Sequence, residues 1–281
     1  MSIEIFLAVL CAALLHAIVN AQLKISADRL VLLAISKLAT TAIALGSLPF
    51  IEMPPPDVWP YIFASVVIHT GYFLFLVVAY RLGDLSQVYP ISRGAAPLLV
   101  GVLGVFLLGD TLSQQNVIAL LLISFGIMSL MLVRRADGAI QTRAVVAALA
   151  TACFTAGYTI VDGMGVRLSA SAHEYIIWLN VFNGLPIVAI ALFARRASFA
   201  SQMIKVWKPS LGSAAMGLLA YWIVLWASTQ APIALVAAVR EASIVFAVVI
   251  GAIFLKERLD LRRIFAVFLT ITGLVALKTS K

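Results

Sequence analysis

The sequence carries little charge and few of the residues that do covalent chemistry. Asp, Glu, Lys and Arg make up only 11% of its 281 residues, and 12 of them are carboxylates. Soluble domains carry about 25% charge. No polar stretch reaches twenty residues, which leaves no place for a separate water-soluble domain. Two lone cysteines, Cys11 and Cys153, make neither a disulfide framework nor a metal site, and both are expected to be buried thiols. HExxH, GxSxG and phosphate-loop motifs are absent, so zinc proteases, serine hydrolases and nucleotide-driven pumps drop out. Gly109-Asp110 alone is a poor basis for an intramembrane protease. No metal or cofactor is expected. An intramembrane enzyme acting on lipid stays only as a remote alternative, because no catalytic constellation supports it.

What is present is apolar. The chain is 63% hydrophobic, with a mean hydropathy of +1.08. Ten apolar runs near 20 residues fall at 3–23, 30–51, 59–80, 85–108, 115–133, 143–163, 174–194, 209–229, 233–255 and 260–278. About 20 helical residues cross roughly 30 Å of hydrocarbon. Turn residues separate the runs at Met53-Pro54-Pro55-Pro56-Asp57, Gly83-Asp84, Asp137-Gly138, Lys208-Pro209 and Ala231-Pro232. The run from Ile3 lacks a basic start, so it reads as a first span rather than a signal peptide. Irregular backbone cannot face lipid, so the expected fold is an all-α integral membrane protein of ten transmembrane helices.

The chain repeats itself. At an offset of 147, Arg93 falls on Arg240, Gly104 on Gly251, Asp110 on Glu257, Leu112 on Leu259 and Gly126 on Gly273. At an offset of 142, Cys11 falls on Cys153, His16 on Tyr158 and Asn20 on Asp162. Two five-helix repeats follow, 1–137 and 138–281. Five is odd, so the halves must sit in the membrane with opposite orientations, a plan common among secondary transporters. Fourteen Lys and Arg residues cluster after the odd-numbered runs, against three (Arg167, Lys278, Lys281) on the other side. The positive-inside rule then places both termini outside the cytoplasm. The net charge of +8 is thus a topology signal, and no nucleic-acid partner is expected.

Helices four and nine end in GDTL and KERL, and helix one carries HAIVNAQLK. With the two five-helix halves, these motifs resemble the EamA-type branch of the drug/metabolite transporter superfamily across nearly the whole chain. Where that family often has Trp-Gly in its first helix, this chain has His16-Ala17. The resemblance implies a multi-pass secondary transporter of the cytoplasmic (inner) membrane; monomer and homodimer both stay open, since oligomeric state is not written in the sequence. It also implies cytoplasmic termini, opposite to the charge count.

Arg93 and Arg240 lead the candidate residues. Each lies seven or eight residues into its run, deep enough that lipid exposure costs about 2.5–3.5 kcal/mol. Both are expected to face the interior, where a planar fork of donors suits carboxylate or phosphate-like groups. The plain alternative is a buried ion pair fastening two helices. Inside the spans Lys37, Arg93 and Arg240 face one carboxylate, Glu241. Successive residues on a helix point apart, so Glu241 is expected to pair with Lys37 or Arg93 and not with Arg240. As an intramembrane carboxylate, Glu241 is also the candidate for proton coupling. His16, Asn20, Tyr158 and Asp162 are linked by the repeat. Tyr72, Tyr80, Tyr89, Tyr221 and Trp222 are aromatic candidates for a cavity wall, or for the membrane interface. His69 is most simply a hydrogen-bonded core histidine. Pro90 and Pro97 flank Arg93 and are expected to kink its helix.

The excess of interior cation favours a small polar anionic metabolite as substrate, moved by alternating access. A drug, lipophilic-cation or amino-acid exporter is the alternative, using Glu241 with Tyr221 and Trp222. Substrate identity, direction and coupling ion are not written in the sequence.

Overall fold

The computed structural model describes residues 1–26, 28–82, 85–132, 142–196, 198–254, 256 and 260–279, without the side chains at 24, 80, 85–87, 131 and 132. The described residues fold into α-helices and short 3-10 turns. In chain order the helices are α1 (Ile3–Ile25), α2 (Arg29–Ser47), α3 (Trp59–Leu82), α4 (Leu85–Leu108), α5 (Gln114–Met128), α6 (Thr142–Leu168), α7 (Ala172–Asn183), α8 (Leu185–Arg195), α9 (Phe199–Gln230), α10 (Ile233–Arg240), α11 (Ser243–Phe254) and α12 (Leu261–Thr279). Eight helical segments are long and apolar enough to cross a membrane. α7 with α8, and α10 with α11, each count as one of these. The other two runs fall short for different reasons. α5 is only 15 residues, extended by a 3-10 turn over Ser129–Leu132. α12 has 19 residues but carries Arg262, Arg263 and Lys278 near its ends.

The helix pairings fit two related halves. α5 packs on α12, and α2 packs on α7 and α8, each pairing an element with its repeat-mate. The remaining pairings come in exchanged couples. α3 with α6 answers α1 with α9; α4 with α6 answers α1 with α10 and α11. The repeated glycines form the α5–α12 crossing. A Cβ on Gly126 would lie 3.0 Å from Thr270 N, and one on Gly273 would lie 2.9 Å from the Ala119 carbonyl. Small residues let helices approach in this way. Lys278 Nζ donates to the Met1 carbonyl at 3.3 Å, so the two ends of the chain share one face.

Several boundaries differ from those read in the sequence. Pro209 does not end a helix: α9 runs through it for 32 residues. Next to it, Ser210 Oγ bonds the Val206 carbonyl at 2.7 Å and the Leu32 carbonyl at 3.3 Å, tying the proline turn to α2. The seventh run breaks at Gly184, ahead of Pro186. There Gly184 is pressed against α2, with its missing Cβ 2.9 Å from the Lys37 carbonyl. Cys11 and Cys153 are exposed on the outside of the bundle rather than buried. They sit on the outward faces of α1 and α6, where a membrane chain turns apolar side chains to lipid. Glu257 of the KERL motif, with Tyr80 and Asp84, lies outside the described side chains.

Candidate substrate-binding cavity

A cavity of about 800 Å³ lies between the helices. Its wall takes α1 from Ala12 to Leu23, α2 from Arg29 to Thr40, α3 from His69 to Arg81, and α9 from Ser213 to Val224. It therefore runs from mid-bundle to the end where α1 meets α2 and α8 meets α9. The opposite end is packed shut. Trp59 lies edge-on to Trp178 at 5.2 Å, and Phe63 lies against Phe182 at 5.4 Å. Arg167 donates to the carbonyls of Ser228 (2.8 Å) and Ala231 (3.0 Å) there.

Arg93 and Arg240 meet at the deep end. Arg93 stands on α4 and Arg240 closes α10; both are buried and both line the cavity. Their shared partner is Glu241, which is fully buried and not on the cavity wall. Arg93 Nε lies 3.0 Å from Glu241 Oε2, and Arg240 Nε lies 3.7 Å from Glu241 Oε1. The expectation that Arg240 and Glu241 point apart is thus corrected. It assumed a continuous helix, but α10 stops at Arg240 and a turn intervenes before α11. The turn tightens onto i−3 carbonyls, Glu241 N to Ala238 O at 3.1 Å and Ala242 N to Val239 O at 3.0 Å. No proline or glycine marks this break, whereas α4 stays helical through both Pro90 and Pro97. Among the described residues neither Glu241 oxygen accepts an aligned hydrogen bond. One carboxylate thus serves two guanidinium groups, and Arg93 gives one further bond, to Ser243 Oγ at 3.4 Å.

The side wall is aromatic. His69 stacks on Tyr158 at 4.0 Å, Tyr72 lies edge-on to Tyr158 at 5.7 Å, and Tyr221 lies edge-on to His69 at 6.0 Å. His16 and Tyr158, paired by the repeat, both line the cavity. Lys37 lines it from α2, its ammonium 5.8 Å from the centre of the Phe73 ring. Asn20 donates to the Tyr89 hydroxyl at 3.4 Å. Trp222 is not on this wall; it packs on His173 with ring centres 4.9 Å apart. One helical step from Tyr221 turns a side chain by about 100°, which carries Trp222 off the cavity.

Two features escaped the sequence reading. Asp162 does not sit at a helix end, because α6 continues to Leu168. It is buried and accepts the hydroxyls of Tyr175 (2.8 Å) and Tyr221. At the mouth, Asp28 caps α2 by accepting from Leu30 N and Val31 N, and pairs with Arg195 Nε at 2.6 Å. No local signal joins residues 28 and 195. Among the described residues the wall bears six cations (Arg29, Lys37, Arg81, Arg93, Arg195 and Arg240) and one carboxylate, Asp28.

The family model of the EamA-like transporters matches residues 3–132 and 142–279. The chain belongs to the EamA-like transporter family. It is therefore a multi-pass membrane protein of the drug/metabolite transporter superfamily. A crystal structure of a protein 16% identical to this EamA chain superposes with a TM-score of 0.77, covering 98% of each chain. That likeness shows a shared fold. No curated protein matches the sequence.

Proposed function

We propose that this EamA protein is a secondary active transporter for a small polar anion, working by alternating access between two inverted five-helix halves. Ten crossings are inferred, with α5 and α12 as the two shorter ones. The observation that carries the reading is the deep end of the cavity. Two buried arginines share one carboxylate there, which leaves one positive charge without a counter-charge among the described residues. A carboxylate or phosphate group entering the cavity supplies the missing counter-charge. Lys37 adds a third cation on the α2 wall. The cations at the mouth raise the local concentration of anions before they enter. Those mouth residues belong to the basic side of the chain, so the cavity in this conformation faces the cytoplasm by the positive-inside rule.

The aromatic wall favours a second reading, a lipophilic-cation exporter. That reading needs a carboxylate on the deep wall. Glu241 stands behind two arginines and Asp162 behind Tyr221, so the anionic reading is preferred. The test is a transport screen with purified protein in liposomes, comparing small carboxylates and phosphate esters with lipophilic cations. Uptake of an anion that is lost in Arg240→Lys is the expected result. Transport confined to cations would sink the proposal.

A further inference from the structure

The geometry points to Asp162 as a proton-binding site served from the cavity by Tyr221. Its relevance to transport rests on the anion reading above; the site itself does not. Glu241, the proton-coupling candidate in the sequence, is poorly placed for the task. It lies between two guanidinium groups, so protonating it leaves two cations buried together. Asp162 has different company. It is fully buried, and among the described residues no cation lies within ion-pair distance of it. Its oxygens accept the Tyr175 hydroxyl at 2.8 Å and the Tyr221 hydroxyl. Hydroxyls compensate a buried carboxylate less than a cation does, so the charged and neutral forms lie closer in energy.

The groups around it come from five helices besides its own. α7 gives Tyr175 and α9 gives Tyr221. From α3 come Ser65 and His69, joined to each other at 3.1 Å, and Ser65 faces the carboxylate. From α2 comes Lys37, whose charge acts on the carboxylate. On α6 itself Tyr158 sits one turn away, and from α10 the apolar Ile233 packs against Gly163. Arg93 and Arg240 stand at the deep end of the cavity.

Tyr221 is the link, because it both lines the cavity and bonds Asp162. A hydronium ion in the cavity gives its proton to the Tyr221 oxygen while the phenol's own proton passes to an Asp162 oxygen. One O–H bond forms at each acceptor and one breaks at each donor. Water is left behind, and no electrons change hands. The positive charge around the deep end of the cavity, from Lys37, Arg93 and Arg240, then rises by one relative to the nearby carboxylates Glu241 and Asp162. The protonated state holds an anion more tightly, and by reciprocity a bound anion draws in the proton.

Infrared spectroscopy of the full-length protein in lipid vesicles, titrated from about pH 4 to about pH 9, tests the site with no anion added. A carboxyl band that titrates is expected. It should be lost in Asp162→Asn, retained in Glu241→Gln, and shifted by ¹³C-aspartate but not by ¹³C-glutamate labelling. The labelling arm needs no variant to fold. In Tyr221→Phe the band should persist while proton uptake after a pH jump slows. A band that survives in Asp162→Asn, follows glutamate labelling, or is absent throughout overturns the site. Uptake at the wild-type rate in Tyr221→Phe overturns the path. Failure of the anion screen with the aspartate band intact would separate the two proposals.

Discussion

Arg240 and Arg93 share a single carboxylate, Glu241, so their two charges are only half balanced among the described residues. Lys keeps the charge but loses the planar fork, so Arg93→Lys and Arg240→Lys are each expected to impair anion transport in liposomes. Arg240→Ala should lose about 1.5–3 kcal/mol of binding, the usual worth of a charge-assisted contact. Glu241 has a structural duty as well. Glu241→Gln leaves two buried guanidinium groups without a counter-charge, and a loss of about 3–5 kcal/mol in folding stability is expected from thermal unfolding in detergent. The double change Arg240→Ala with Glu241→Ala should recover part of that stability but not transport. Recovery of both would make Arg240 a fastener rather than a binding group.

The repeat is visible in small pieces of backbone as well as in the large pairings. Gly109, just past α4, has φ +67°, and Lys256, its counterpart 147 residues on, has φ +54°. The left-handed conformation is easy for glycine and costs other residues about 1–2 kcal/mol. Lys256→Gly is therefore expected to raise the unfolding temperature, and Gly109→Ala to lower it; the reverse order would mean that packing around the two turns outweighs backbone strain. The α5–α12 crossing is the other sensitive element. Gly126→Val and Gly273→Val each force a side chain into backbone at 2.9–3.0 Å and should cost about 1–3 kcal/mol by overpacking. Gly217, with nothing within 4 Å, should tolerate Ala, which makes it the control in the same unfolding assay.

The whole molecule has both chain ends on one face, where Lys278 reaches Met1. That arrangement agrees with an even number of crossings. Fourteen basic residues on one side against three on the other predict, by the positive-inside rule, that this face lies outside the cytoplasm. A C-terminal reporter that fluoresces only in the cytoplasm is expected to stay dark. A bright reporter on folded protein would reverse the orientation and turn the cavity mouth outward.

Much of this was determined by the sequence alone. Apolar run length sets the helices, because lipid demands that every backbone group be bonded internally. The 147-residue offset matches Arg93 to Arg240 and Gly126 to Gly273, since both halves solve the same packing problem. Tertiary structure decided what short-range rules cannot see. The break after Arg240 carries no proline or glycine, yet it turns Glu241 back onto its own neighbour. Asp162 gains its environment from tyrosines 13 and 59 residues away. Trp222 leaves the cavity that Tyr221 lines because of its place on the turn of α9. In each case the deciding partner is distant in the chain, and only the packed bundle brings it within reach.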